Sequence, residues 1–192
     1  MMLESKVIGF ALTGSFCTLG EAIDQMELLS KTGCKIIPIV SESVASTDTR
    51  FGKAADFIER IEKICACKVV RTIVDAEPVG PKKLLDLLVV MPCTGNTMAK
   101  LYNGITDTPV TMACKAHLRN GRPLLIAPAT NDGMSMNARN IGGLLNIKNV
   151  YLVPSGQDDC YKKPTSLIAN YALLIPAIEK ALSGECLQPQ LI

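Results

Sequence analysis

Four short apolar runs, each ending in a small polar turn, constrain this chain more than any other feature. They are Val7 to Leu12, closed by Thr13-Gly14-Ser15, and Lys35 to Val40, closed by Ser41-Glu42-Ser43. Leu87 to Met91 leads into Pro92-Cys93-Thr94-Gly95-Asn96-Thr97, and Pro123 to Ala127 leads into Pro128-Ala129-Thr130-Asn131-Asp132-Gly133-Met134. LLVVM and PLLIA show no polar alternation, as expected of strands covered on both faces. Stretches of helical length separate the runs, and that order predicts a parallel sheet with helices on both sides. The expected fold is α/β, a Rossmann-like, doubly wound, mostly parallel sheet, with residues 1–192 forming one domain.

Between the runs the pattern predicts a helix from about Thr18 to Lys31, with Thr18 as N-cap, Glu21 three residues on and Gly33 as its stop. Pro38 inside the second run marks an edge, or a position whose N–H faces away from the ladder. Ser41 to Arg50 reads as loop. A helix from about Phe51 to Cys65 lines up Ala55, Ile58, Ile61, Ile64 and Cys65. Lys68 to Val74 reads as a further strand and Asp75 to Lys82 as mostly loop or a broken turn. Helices are expected over Gly95 to Tyr102, Pro109 to Arg119, Met136 to Leu145 and Ser166 to Leu182, with a last short strand over Val150 to Val153.

Composition narrows the function. Hydrophobic residues make up 48% of the chain, aromatics only 4% with no Trp, so the core is aliphatic. A net charge of +2, without a basic stripe, argues against nucleic acid. No apolar run reaches membrane-spanning length. The eight cysteines form no CxxC pair, and Cys65-Ala66-Cys67 lacks the second knuckle of a zinc site, so no metal is expected. Met1 to Lys6 has no export signature, and scattered thiols then indicate a reducing cytoplasm.

In doubly wound sheets ligands bind beyond the carboxyl ends of the strands. The four turns would share that rim, and they are rich in glycine, hydroxyls and amides. Gly14 lets backbone N–H groups approach an anion at the start of the following helix, and Ser15 and Ser41 add hydroxyls. The next glycine is Gly20, so the spacing is not G-x-G-x-x-G, and a mononucleotide fits better than a dinucleotide. Thr94 and Asn96 either cap the next helix or contact the polar edge of a flat ring. The expectation is that Gly14, Ser41, Thr94 and Asn131 converge on a common cavity.

At VIGFALTGS, IVSES, LLVVMPCTGNTMAK and PLLIAPATND the chain resembles the flavoprotein family of homo-oligomeric, FMN-containing cysteine decarboxylases and flavin prenyltransferases. The third segment resembles the family's P-x-[ST]-x-N-T-[LM]-A-K element. The fourth resembles P-A-M-N-x-x-M, with Thr130 where methionine is usual. The resemblance implies that Thr13, Gly14, Ser15 and Ser41 hold the FMN phosphate. It implies that Thr94, Gly95, Asn96 and Thr97 line the flavin, and that Asn131 contacts substrate near a carboxylate in a catalytic role. It also implies assembly as a homotrimer or a multiple of trimers.

Departures from the family are equally informative. Where the decarboxylases carry a catalytic histidine, this chain has Asp75-Ala76-Glu77-Pro78-Val79-Gly80. Its one histidine, His117, lies on a helix and reads as a packing residue. The substrate clamp is replaced by Ser155 to Pro164, where Cys160 echoes the clamp cysteine and Lys162 and Lys163 are candidate carboxylate partners. The prenyltransferase arginine is replaced by Ala129. Neither cysteine decarboxylation nor flavin prenylation is expected. The branch that PCTGNTMAKLYNGITDTPVTMACKAHLRN and APATNDGMSMNARN resemble implies instead an oxidoreductase of spore-forming bacteria. It would act in the mother-cell cytoplasm, with a separate NAD(P)-binding partner subunit, on a small ring dicarboxylate. The alternative is a non-catalytic FMN- or phosphate-binding module that stabilises the partner. An ordinary NAD-dependent reductase is disfavoured by the missing glycine fingerprint.

Overall fold

The computed structural model describes residues 3–192; Met1 and Met2, part of the stretch read for an export signal, lie outside it. Seven strands form one mostly parallel sheet: β1 (Val7–Leu12), β2 (Lys35–Val40), β3 (Leu87–Cys93), β4 (Leu124–Thr130), β5 (Val150–Leu152), β6 (Ser155–Gly156) and β7 (Leu167–Ala169). The order is β2-β1-β3-β4-β7-β6, with β5 pairing the first half of β4. From β1 the chain moves outward to β2, then returns to place β3 on β1's other side. That reversal creates a crevice between the carboxyl ends of β1 and β3.

Every residue of β3 is buried. Leu87, Val89 and Met91 belong to one core, and Leu88, Val90 and Cys93 to the other. The first core is covered by α1 (Phe16–Ser30), α3 (Ala54–Cys65) and α8 (Leu174–Leu182), through Ile23, Met26, Ile58, Ile61 and Ile178. The second is covered by α6 (Pro109–Leu118) and α7 (Ala138–Leu145), through Val110, Cys114, Ile141 and Leu144. Each aliphatic side chain so enclosed contributes about 1.5–3 kcal/mol, which explains why a core with few aromatics suffices. The lengths of α5 (Gly95–Tyr102), β1 and β2 match the sequence reading.

Pro38 is tolerated because of its orientation. Its carbonyl accepts from the Val70 N–H at 2.9 Å on the outer side of β2. A residue's N–H and C=O point the same way in a strand, so the missing donor faces the sheet edge and not β1. Pairing outside β2 is limited to this one parallel bridge, Ile39 with Val70.

Five expectations need correction. Lys68 to Val74 is not a strand: Thr72 accepts from Asp75 N at 3.1 Å and starts the short helix α4 (Ile73–Ala76), which continues as a 3-10 turn over Glu77–Val79, inside the stretch read as loop or a broken turn. The Ser41 to Arg50 stretch is not wholly loop, since Ser41 caps α2 (Glu42–Ser46). The first helix begins at Phe16, with Ser15 and not Thr18 as N-cap, and the third begins at Ala54 with Ala55 exposed. Ser166 to Leu182 is not one helix. Leu167–Ala169 is β7, which pairs antiparallel with the second half of β4 and with β6, and only Leu174–Leu182 is α-helical. Short apolar segments of this kind follow tertiary pairing over local propensity.

Candidate functional site at the strand carboxyl ends

Thr13 ties the crevice together. Its hydroxyl donates to the Pro92 carbonyl at 2.7 Å and accepts the Thr94 N–H at 3.0 Å, joining the ends of β1 and β3. Its backbone N–H also donates to the Pro92 carbonyl, at 3.3 Å, so this buried residue has no donor left for a ligand. Beyond it the chain turns at Gly14 into α1. A Cβ at Gly14 would lie 2.8 Å from Ser43 Oγ, so the turn packs directly on the first turn of α2. Ser41 Oγ lies 2.9 Å from Ser43 Oγ and accepts weakly from Val44 N.

The start of α1 is open. Ser15 makes no side-chain cap there, and the first turn carries no acidic residue. The α5 start is capped by Thr94, which accepts from Thr97 N at 3.2 Å and lies 3.0 Å from Thr97 Oγ1. Thr13, Gly14, Ser41, Glu42, Ser43, Thr94, Asn96, Thr97, Lys100 and Thr108 line a cavity of about 350 Å³. Lys100 supplies a cation, held by both oxygens of Asp107 at 2.8 and 2.9 Å. That pairing keeps the Asp107 carboxyl below its ordinary range.

Asn96 is exposed and also borders a second cavity, of about 630 Å³, with Gly95, Tyr102, Asp132, Met136, Asn137 and Arg139. Its wall is a polar relay. Asp132 accepts from Asn137 Nδ2 at 2.9 and 2.8 Å and from the Thr130 hydroxyl, and Asn140 Nδ2 donates to Asn137 Oδ1 at 2.7 Å. A Cβ at Gly95 would run into the Asn137 amide and lie 2.8 Å from Thr130 Oγ1, which is why glycine starts α5.

Asn131 opens onto a third, smaller cavity of about 100 Å³, with Ser15, Cys17, Thr18, Ala129, Thr130, Asp158, Lys163 and Ile168. All the expected residues therefore lie on one rim, but not around one cavity. Gly14, Ser41 and Thr94 share the first. Asn131 sits with Ser15 in another. The sequence reading missed Lys100, Thr108, Asp158 and the Asp132–Asn137–Asn140 relay. The last had a trace in the Asn spacing of Asn137-Ala138-Arg139-Asn140.

Other reactive groups are engaged elsewhere. His117 is buried, with Nε2 3.0 Å from the Pro123 carbonyl at the opposite end of β4. Burial, with Arg122 nearby, pushes its pKa down to about 4, so it is neutral at pH 7. A carbonyl partner makes Nε2 the donor, and Nδ1 is left buried without a partner. Cys93 and Cys114 are buried thiols pushed well up by desolvation, hence inert. All eight cysteines are free. Among the described residues no group of three or more His, Cys, Asp or Glu is placed to hold a metal, and no helix is long and apolar enough to cross a membrane.

A doubly wound sheet with hydroxyls and amides on its carboxyl rim is the frame of the flavoproteins. The profile of the flavoprotein family matches residues 1–168, and the chain belongs to that family. Within it, the chain is 46% identical over 190 residues to the B subunit of dipicolinate synthase from Bacillus subtilis (strain 168), covering 99% of this chain and 95% of that one. The crystal structure of the dipicolinate synthase B subunit from Bacillus halodurans C superposes with a TM-score of 0.92 at 45% identity, over 100% of this chain and 98% of the other. The FMN-dependent cysteine decarboxylase SpaF shares the fold at 19% identity and a TM-score of 0.71, over 95% of this chain and 98% of that one.

Proposed function

We propose that this chain is the B-type subunit of a dipicolinate synthase, binding FMN on the described rim and working with the NAD(P)-binding A-type subunit of the same enzyme. Its substrate would be dihydrodipicolinate or the hydrated precursor, and its product pyridine-2,6-dicarboxylate. The observation that carries this reading is near-half identity to a dipicolinate synthase B subunit along almost the whole chain.

The residues present fit a flavin mononucleotide. Gly14 leaves open a cradle that a Cβ would fill, at the uncapped start of a fifteen-residue helix. Gly14, with Ser15 and Ser41, would hold the phosphate, Thr13 would fix the turn through its bonds to Pro92 and Thr94, and Lys100 would offset part of the charge, against the Glu42 carboxylate on the same lining. Thr94, Gly95, Asn96 and Thr97 would line the ring system where the first two cavities meet at Asn96. When bound, the flavin supplies a hydride acceptor. Aromatising the dihydro ring would release one hydride equivalent, for which such an acceptor is needed, and one proton to solvent. Asn131 would orient a substrate carboxylate. None of the residues lining these three cavities is a histidine, which suits a redox role better than the family's decarboxylation.

The assembly would be a homotrimer or a multiple of trimers in the cytoplasm of a sporulating mother cell, without nucleic-acid or membrane partners. One related structure, a UbiX-like decarboxylase from Escherichia coli O157:H7, is dodecameric. A second reading rests on the replaced Asp75–Gly80 and Ser155–Pro164 segments: a non-catalytic FMN- or phosphate-binding module that stabilises the A-type partner. Reconstitution separates the two. The purified chain, FMN and the NAD(P)-binding partner are mixed with substrate, and pyridine absorbance is followed in the ultraviolet. The first reading expects faster product formation than the partner gives by itself. An unchanged rate per folded partner molecule supports the second.

A further inference from the structure

At the amino end of β4, opposite the rim, α6 and the last turns of α5 and α7 enclose a further cavity of about 200 Å³. Its floor is buried: Leu124 opens β4, Leu144 comes from α7 and Thr111 from α6. Thr111 commits its hydroxyl to Thr108, 3.2 Å from that residue's carbonyl, and so adds no free donor. Half-buried Leu118 forms a wall, and the exposed side chains of Ile105 and Ile147 stand at the mouth.

A concave site with apolar walls and few polar groups is the usual setting for a small ligand. An apolar cavity of about 150 Å³ holds a benzene ring, so this one accepts an apolar body of about six to eight carbons. The polar groups at hand favour an anionic head. Lys115, one turn after Thr111, is the one charged residue of the lining, and it has no ion-pair partner among the described residues. Thr106, half-buried in the same lining, makes no side-chain hydrogen bond among those residues either.

The flanking sequence points the same way. Asp107, held by Lys100, is the single acidic residue from Leu101 to Leu124, and Ala138 to Val150 contains none. Arg119 and Lys148 follow Leu118 and Ile147, and among the described residues neither has an ion-pair partner. An anion fits that field and a cation does not.

We propose that this cavity binds a small amphiphilic carboxylate, its hydrocarbon body against Leu118, Leu124 and Leu144 and its head on Lys115 and Thr106. The site lies at the other end of the sheet from Gly14, Asn96 and Asn131, so it stands or falls independently of the function proposed above.

The test is calorimetric titration of octanoate, with octanol and butyrate as controls, into wild type, Lys115→Gln and Leu118→Phe. Wild type is expected to bind one octanoate with a Kd of about 0.1 mM, and butyrate far more weakly for want of apolar contact. Lys115→Gln changes an exposed side chain and should weaken octanoate about tenfold while leaving octanol unchanged. Leu118→Phe narrows the cavity and should weaken both ligands about tenfold or more. FMN affinity should stay at the wild-type level in both variants. Octanoate that fails to saturate wild type below about 10 mM overturns the site, as does wild-type octanoate affinity in Lys115→Gln or in a folded Leu118→Phe. Should Leu118→Phe fail to fold, the contrast between octanoate and octanol in Lys115→Gln decides alone. Sedimentation runs alongside: if Leu118→Phe changes the oligomeric state and wild type binds no octanoate, a second copy fills the cavity and the proposal is overturned.

Discussion

Gly14→Ala isolates the physical demand at the phosphate cradle. Its φ lies outside the left-handed region, so the substitution adds no backbone strain and its effect is steric. The new Cβ would lie 2.8 Å from Ser43 Oγ and 3.4 Å from Ser43 Cβ, against an unstrained carbon contact of about 3.5–4.0 Å. Relief requires Ser43 Oγ to swing away, which breaks its 2.9 Å hydrogen bond to Ser41. That loss is worth about 1 kcal/mol, and residual crowding brings the expected destabilisation to about 1–2 kcal/mol. Ser43→Ala removes the nearer atom in advance, so in the double variant the Gly14→Ala penalty should shrink by about 1 kcal/mol, the coupling of a double-mutant cycle. Urea unfolding of the four proteins reads the stabilities, and quenching of flavin fluorescence reads FMN affinity in parallel. Gly14→Ala should weaken FMN about tenfold through displacement of Ser41, with partial recovery in the double variant. Additive stabilities with zero coupling would refute the packing of Gly14 on Ser43.

Two further outcomes follow from the same geometry. His117 is the only histidine, so a single imidazole NMR resonance should titrate near pH 4, well below the ordinary 6.5. Because the folded value is depressed, the contribution to stability is full above about 6.5 and is lost as pH falls toward 4; wild type should lose about 2 kcal/mol more between pH 7 and pH 5 than His117→Gln. A resonance titrating near 6.5 would contradict the burial. Asp132→Ala should lower the melting temperature by roughly 5–10 °C, since it strips the Asn137 amide and the Thr130 hydroxyl of their acceptor at a cost of about 2–3 kcal/mol; a change under about 2 °C would show that the relay contributes nothing to stability.

Legibility in the sequence tracked how far each element is determined by its own burial. β3 and the first half of β4 are covered on both faces, so Leu87 to Met91 and Pro123 to Ala127 had to be uninterrupted apolar runs. α5 was equally plain, since Thr94 and Gly95 fix its start by capping and by close approach to Thr130. The periphery was obscure for the opposite reason. Val70 makes one bridge before Thr72 redirects the chain, and β7 exists only because the second half of β4 offers it an edge. At the site, the polar turns revealed the rim because every strand of a parallel sheet ends there. Their division among three cavities depends on how turns far apart in sequence pack together, which no local pattern encodes. The pairing of Lys163 with Asp158 was hidden for the same reason.

The decisive measurement is a crystal structure of the protein soaked with FMN. The phosphate is expected at Gly14 and Ser15 against the start of α1, within reach of Ser41, with the ring system running past Asn96 between the two larger cavities. Flavin bound on another face, or this rim left empty at saturating FMN, would contradict the assignment of the strand-end rim as the cofactor site.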